Sequence, residues 1–325
     1  MPSSYESIRG KRFGLGPNGP IFEGRPVGAW PQGLGRGKTF YVDSQVDAAS
    51  GQSPAEAFGT LDEAFAACSA NRGDVIVVMP NHAETITGAG GITHDVAGVS
   101  VIGLGIYNQR PRFLMDAGTA VTYLISAADA YVSGLDFASG HSNVVACFNV
   151  TATGAWIDNC KFRNNTTNED FLSPIKATGA DNTADGLMVT RCNWYTTDTD
   201  DAAFITIAGS LADLVVGGTP ETGNRVLTSS ATAAQHISVA AGKILTNADI
   251  GWNKHFNLMT SGELFISNDG TTNTGFVHNN FSGHADVTGA HDPGWTTGGW
   301  RLFGNTSSSV DTLQGFPAPA IDVDL

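Results

Sequence analysis

The residues with most chemical potential in this chain are carboxylates gathered in one Thr-rich loop, Asp198-Thr199-Asp200-Asp201. Oxygen-rich loops of this kind hold calcium, and paired carboxylates at a suitable separation hydrolyse glycosidic bonds. Two readings stay open for Asp198, Asp200 and Asp201, a solvated turn and a weak calcium loop. Asp181 and Asp185 flank a second polar loop with the same alternatives. No basic residue stands in a repeated register with either group, so a proton-abstracting site is not indicated, and no catalytic residue is assigned.

Other reactive types are scattered. His278, His284 and His291 are separated by 6 and 7 residues, a spacing that shares no helical face, so they are expected as surface or turn histidines rather than metal ligands. Trp295 and Trp300 could form an aromatic sugar platform, or could close the end of the fold or contact another subunit. Cys68, Cys147, Cys160 and Cys192 lie in apolar contexts without a CxxC pair, which predicts buried thiols acting as small hydrophobes and a reducing cytoplasm during synthesis. Isolated glycine pairs such as Gly217-Gly218 are turns, and no phosphate-binding or nucleophile-elbow motif occurs in a fitting context. No cofactor is expected.

The elements that must carry these residues show themselves by recurrence. Apolar strand ends run into Trp252-Asn253, His278-Asn279 and Gly304-Asn305, each 26 residues after the last. Repeats of that length are stacked coils, each too small to bury its own apolar face. Looser versions precede them, at 99–104, 131–137, 155–162 and 187–194, with loops inserted at 164–174, 180–185 and 195–203. Asparagines at equivalent turns can stack as side-chain ladders. The many turns account for 40 glycines in 325 residues, and the chain reads as all-β.

Before the coils, Thr39–Val42 predicts a strand, and Thr60-Leu61-Asp62-Glu63 a capping box that starts a helix of about ten residues. Leu61, Ala64, Phe65 and Cys68 give that helix one apolar face, and Asn71-Arg72-Gly73 supply its stop. Covering the open end of a solenoid is its expected task.

Residues 1–38 have another composition. They hold nine glycines, five prolines and six basic against two acidic residues, about +4 within a chain of −14. No helical or strand period is visible in them. Tyr5, Phe13, Phe22 and Trp30 interleave with Arg9, Lys11, Arg12, Arg25 and Arg36, the pattern of an extended arm that docks on a partner. The net charge opposes general attraction to nucleic acid or anionic lipid. The N-terminus lacks an apolar signal segment, and no stretch approaches the length of a membrane span.

The runs Gly37–Asp43, Phe58–Ala64 and Asn71–Pro80 resemble the start of right-handed parallel β-helix proteins of the pectate-lyase-like superfamily, and in particular β-helix virion proteins of tailed bacteriophages. The resemblance covers roughly residues 37–305 and implies the β-helix; composition and recurrence divide the chain into an arm over 1–38, an opening strand, capping helix and first coil over 39–80, parallel β-helix coils over 81–308 and a C-terminal tail over 309–325. Lyases of this superfamily place several carboxylates and a basic residue on one sheet face, and acids are sparse in these coils. The expectation is therefore a non-enzymatic phage structural protein, a head-stabilising capsid decoration anchored by its arm, homotrimeric and partnered by other virion proteins of capsid or tail. The alternative is a short tailspike or receptor-binding protein that recognises, and could cleave, host polysaccharide.

Overall fold

The computed structural model describes residues 37–309 apart from 47, 49, 89, 167, 198–200, 229–233, 258–264, 269–272 and 285–298, together with four short strands between 6 and 26. The body is a right-handed parallel β-helix of three long sheets, with a further two-stranded parallel pair, Leu211–Ala212 and Leu245–Thr246. The first holds ten strands, from Thr39–Val42 to Arg301–Phe303; the second nine, from Ala83–Ile86 to Thr306–Ser309; the third seven, from Ile92–His94 to Ile266–Asn268. Seven coils contribute one strand to each sheet.

Stretches that read as single strands are strand, corner, strand. Residues 131–137 divide into Tyr131–Ser133 in the first sheet and Asp136–Ser139 in the second, and 155–162 into Trp156–Asp158 and the start of Lys161–Asn164. The break is one residue in the left-handed region: Gly134, Asn159, Arg191, Trp252, Asn279 and Gly304, with φ between 49° and 80°. Glycine and asparagine suit that conformation, whereas arginine and tryptophan adopt it at a cost of about 1 kcal/mol or more.

The residue after each corner points inward. In the last four coils it is Asn224, Asn253, Asn280 and Asn305, all at most 1% exposed. Asn253 Nδ2 donates to Val216 O (2.8 Å) and Asn280 Oδ1 (3.1 Å), and Asn253 Oδ1 accepts from Asn224 N and Nδ2 (3.0 and 2.9 Å). Asn280 Nδ2 continues to Asn305 Oδ1 (3.1 Å). The even 26-residue recurrence is thus corrected by one position. Asn279 is the corner residue and Asn280 the ladder residue; coils of 27 and 25 residues average to 26. Cys160 and Cys192 occupy the same inward position in earlier coils and are fully buried.

Inside the earlier coils, aromatic rings stack in register on the second sheet. Phe113 lies 5.4 Å from Phe137, and Phe137 lies 5.9 Å from Phe162, both pairs nearly parallel. Each such pair adds about 0.5–1.5 kcal/mol beyond its area burial.

The capping helix, α1, spans Leu61–Ala67, seven residues. Both halves of the Thr60–Glu63 capping box form, and Leu61, Ala64 and Phe65 are buried, with Phe65 4.5 Å from the His94 ring. It ends before Asn71-Arg72-Gly73, because Cys68 turns extended and Asp74 collects Lys38 N, Ser69 N and the Arg72 guanidinium instead. Within 1–38, where the sequence shows no strand period, Glu6–Ile8, Lys11–Gly16, Gly19–Phe22 and Arg25–Pro26 pair as an antiparallel meander. Among the described residues no helix is long and apolar enough to cross a membrane.

Candidate functional site

The corner between the first and second sheets is two residues long in six coils, lengthens to 79–82 and 104–111 at the start of the rod, and bulges again at 218–224. Beside that bulge lies a groove of about 260 Å³, whose lining includes Arg191, Asn193, Glu221, Arg225, Trp252 and Lys254. Its position follows from the coil register: Asn193, Arg225 and Lys254 are consecutive partners at the start of second-sheet strands, side by side on the outer face. Their neighbours Trp194 and Val226 point into the core, so alternation directs the three outward.

Like Tyr107 (φ 53°) in the connection 104–111, Arg191 and Trp252 are bulky side chains at left-handed corners of this edge, with φ of 55° and 63°. Both line the groove. Strained backbone concentrates where function needs a side chain that the turn would not choose. Arg191 is also fixed from below. Its Nε donates to Asp158 Oδ1 at 2.7 Å and its Nη2 to Asp158 Oδ2. Asp158 is fully buried and further receives the hydroxyls of Tyr131 (3.0 Å), Ser133 (3.2 Å) and Thr190 (2.8 Å). Burial in this cluster raises the Tyr131 hydroxyl pKa, so it remains a donor at neutral pH.

Arg225 and Lys254 are exposed and form no ion pair among the described residues. Trp252 is 37% exposed and Tyr195, on the next outward row, 50%. The groove therefore offers exposed cations, an amide at Asn193, a carboxylate at Glu221 and the Trp252 indole. That set can hold hydroxyl- and anion-bearing rings by hydrogen bonds and stacking. A second, less polar cleft of about 200 Å³ lies against the third sheet, with Asn149, Lys176 and Thr178 in its lining.

The residues singled out in the sequence do not meet here. Asp198 and Asp200 lie outside the described residues. Asp201 is fully buried rather than solvated and accepts from Thr196 Oγ1 at 3.2 Å. Asp181 is exposed, its pKa lowered by the Ser210 amide and by Lys243. Among the described residues no cluster of His, Cys, Asp or Glu could hold a metal ion. His278 lies on the outer face of the first sheet, 2.7 Å from Asp249 and stacked on Phe303. His284 ends the strand Phe281–His284, and His291 lies outside the described residues. Trp300 packs against the end of the core, and Trp295 is outside the described residues. Of the arm residues, Lys11, Arg12 and Phe13 lie in the second strand of the meander, Phe22 in the third and Arg25 in the fourth. Tyr5, Arg9, Trp30 and Arg36 lie outside the described residues.

The groove residues escaped the sequence reading, although a signal for them exists. Lys161, Arg225 and Lys254 each directly follow an inward corner residue, Cys160, Asn224 and Asn253. Aligning the chain on those residues puts the cations in one row.

No family model matches the chain, and no curated protein matches it. Among solved structures, a rhamnogalacturonan lyase is similar to it at 12% identity, over 82% of this chain and 87% of that one, with a TM-score of 0.41. The expectation that the chain is not an enzyme is withdrawn on this finding, since a structure with a similar backbone path is a polysaccharide lyase by name. At this identity the likeness concerns the path of the backbone, and no residue role is carried over.

Proposed function

We propose that the chain is the polysaccharide-recognising rod of a virion, and that sugar is held in the groove at the corner of the first and second sheets. The observation that carries this reading is the pair of strained bulky corners, Arg191 and Trp252, on either side of unpaired Arg225 and Lys254. Four other coils keep glycine or asparagine at that corner, Gly134, Asn159, Asn279 and Gly304, whereas Tyr107 is a further bulky residue with positive φ on the same edge and Arg191 also serves the buried Asp158. Trp252 supplies a ring face for a sugar, while Asn193 and the cations supply donors for its oxygens.

Binding of the full chain to a panel of bacterial surface polysaccharides tests this reading. Wild type should bind at least one glycan, and Trp252→Ala should weaken that binding about tenfold, the scale of one lost stacking contact. Unchanged affinity in Trp252→Ala would move the site elsewhere.

A second reading, capsid decoration anchored through residues 1–38, is favoured by that segment's six basic residues in an otherwise acidic chain. It predicts that deleting residues 1–36 abolishes incorporation into particles and leaves a folded β-helix. Normal incorporation would refute it.

A further inference from the structure

We infer that the occupant is a polyanionic glycan, bearing a carboxylate or sulfate on successive sugars, and that it lies along the rod axis over the second sheet. This rests on the polysaccharide reading above and names its substrate class and orientation. Eleven lysines and arginines follow residue 38. Five of them, Arg112, Lys161, Arg163, Arg225 and Lys254, project from the outer face of the second sheet, and Arg191 stands at the corner that feeds it. The only acid in the two outward rows of that face, among the described residues, is Asp136, which Arg163 engages at 3.0 Å.

Register fixes the geometry. Arg112, Asp136, Lys161, Asn193, Arg225 and Lys254 are consecutive partners in one row. Adjacent strands are about 4.8 Å apart, so the row is about 24 Å long and runs along the axis. A chain laid across the coils would meet one or two of these cations; a chain laid along them meets several in succession. A pyranose repeat is comparable in length to one coil's rise, so a glycan charged on successive sugars places its anions at the same interval. The groove at Trp252 is then one end of a longer track. The net charge of −14 does not oppose this, because screening over about 8 Å leaves the local row to act on a ligand in contact with it.

The experiment measures binding of the full chain to dextran, polygalacturonate, dextran sulfate and a duplex DNA oligomer, at about 50 and 200 mM salt. The expected result is binding to polygalacturonate or dextran sulfate with no binding to dextran, and affinity lowered at least tenfold by the higher salt. Affinity should also rise with oligogalacturonate length up to about six sugars, the span of the row at one strand spacing per sugar. The triple variant Lys161→Gln/Arg225→Gln/Lys254→Gln should lose at least tenfold, and Lys176→Gln, on the third sheet, should lose less than twofold. Equal binding of dextran and the charged polymers would overturn the charge assignment while leaving glycan recognition standing. Failure to bind any glycan in the polysaccharide panel or in this one would overturn both. Equal affinity for DNA, or an undiminished triple variant, would overturn the glycan track. A length dependence that ends at two sugars would overturn the axial orientation.

Discussion

Replacing Asn253 by alanine tests the one-residue correction to the repeat and the source of stability in the later coils. The side chain makes four hydrogen bonds: Nδ2 to Val216 O and Asn280 Oδ1, and Oδ1 from the amide and side chain of Asn224. Every partner is buried in the corner, so water cannot replace the lost bonds. At about 1 kcal/mol net for each bond, with the orphaned Asn224 N–H adding desolvation cost, the loss should be about 3–5 kcal/mol. Asn279→Gly, one coil on, should change stability by less than about 1 kcal/mol, because glycine suits the left-handed φ of 51° at that corner. Urea denaturation supplies the overall difference, and amide hydrogen exchange locates it. Loss of protection should centre on the coils from Asn224 to Asn305, since each coil of a solenoid is stabilised mainly by its neighbours. A loss below 1 kcal/mol for Asn253→Ala, or an equal loss for Asn279→Gly, would refute the ladder assignment.

Other perturbations separate the roles assigned here. His94 is fully buried against Phe65 and Tyr123, and burial holds its pKa at about 3. Folding therefore selects the neutral ring; its contribution is intact above the unfolded value near 6.5 and is lost as pH falls. By pH 5 this should cost about 2 kcal/mol, measured by urea denaturation and flattened in His94→Asn. Arg191→Gln should destabilise by about 2 kcal/mol because it strips the fully buried Asp158 of its cation, whereas Arg225→Gln should leave urea stability unchanged within about 0.5 kcal/mol. Cys68, the least buried thiol, has its pKa pushed up to about 12 by burial and then by Asp74. It should react with iodoacetamide at pH 7.5 far more slowly than a free thiol, and fast labelling of the folded chain would contradict its placement.

The sequence announced its architecture through devices that act locally. The Thr60 capping box, the strand at Thr39–Val42 and the inward asparagines each require a particular residue type at a particular place. The helix end was misread because Asn71 and Gly73 do adopt positive φ, but they do so in the turn that leads to Asp74, after the helix has already stopped. The ladder register was misread by one because Asn279 and Asn280 are adjacent and both corner positions accept asparagine. The groove was hidden for a different reason. Arg191, Arg225 and Lys254 are about 30 residues apart in sequence and become neighbours only when coils of unequal length are stacked in register. Whole-chain charge concealed them further, since the row is a local excess in an acidic molecule.

The most direct test is a crystal structure of the full chain with an acidic hexasaccharide such as hexagalacturonate. The account predicts sugar density on the outer face of the second sheet, with one ring against Trp252, acid groups beside Arg225 and Lys254, and the chain running parallel to the rod axis. Ordered sugar on the third sheet, with the corner at Trp252 empty, would contradict it.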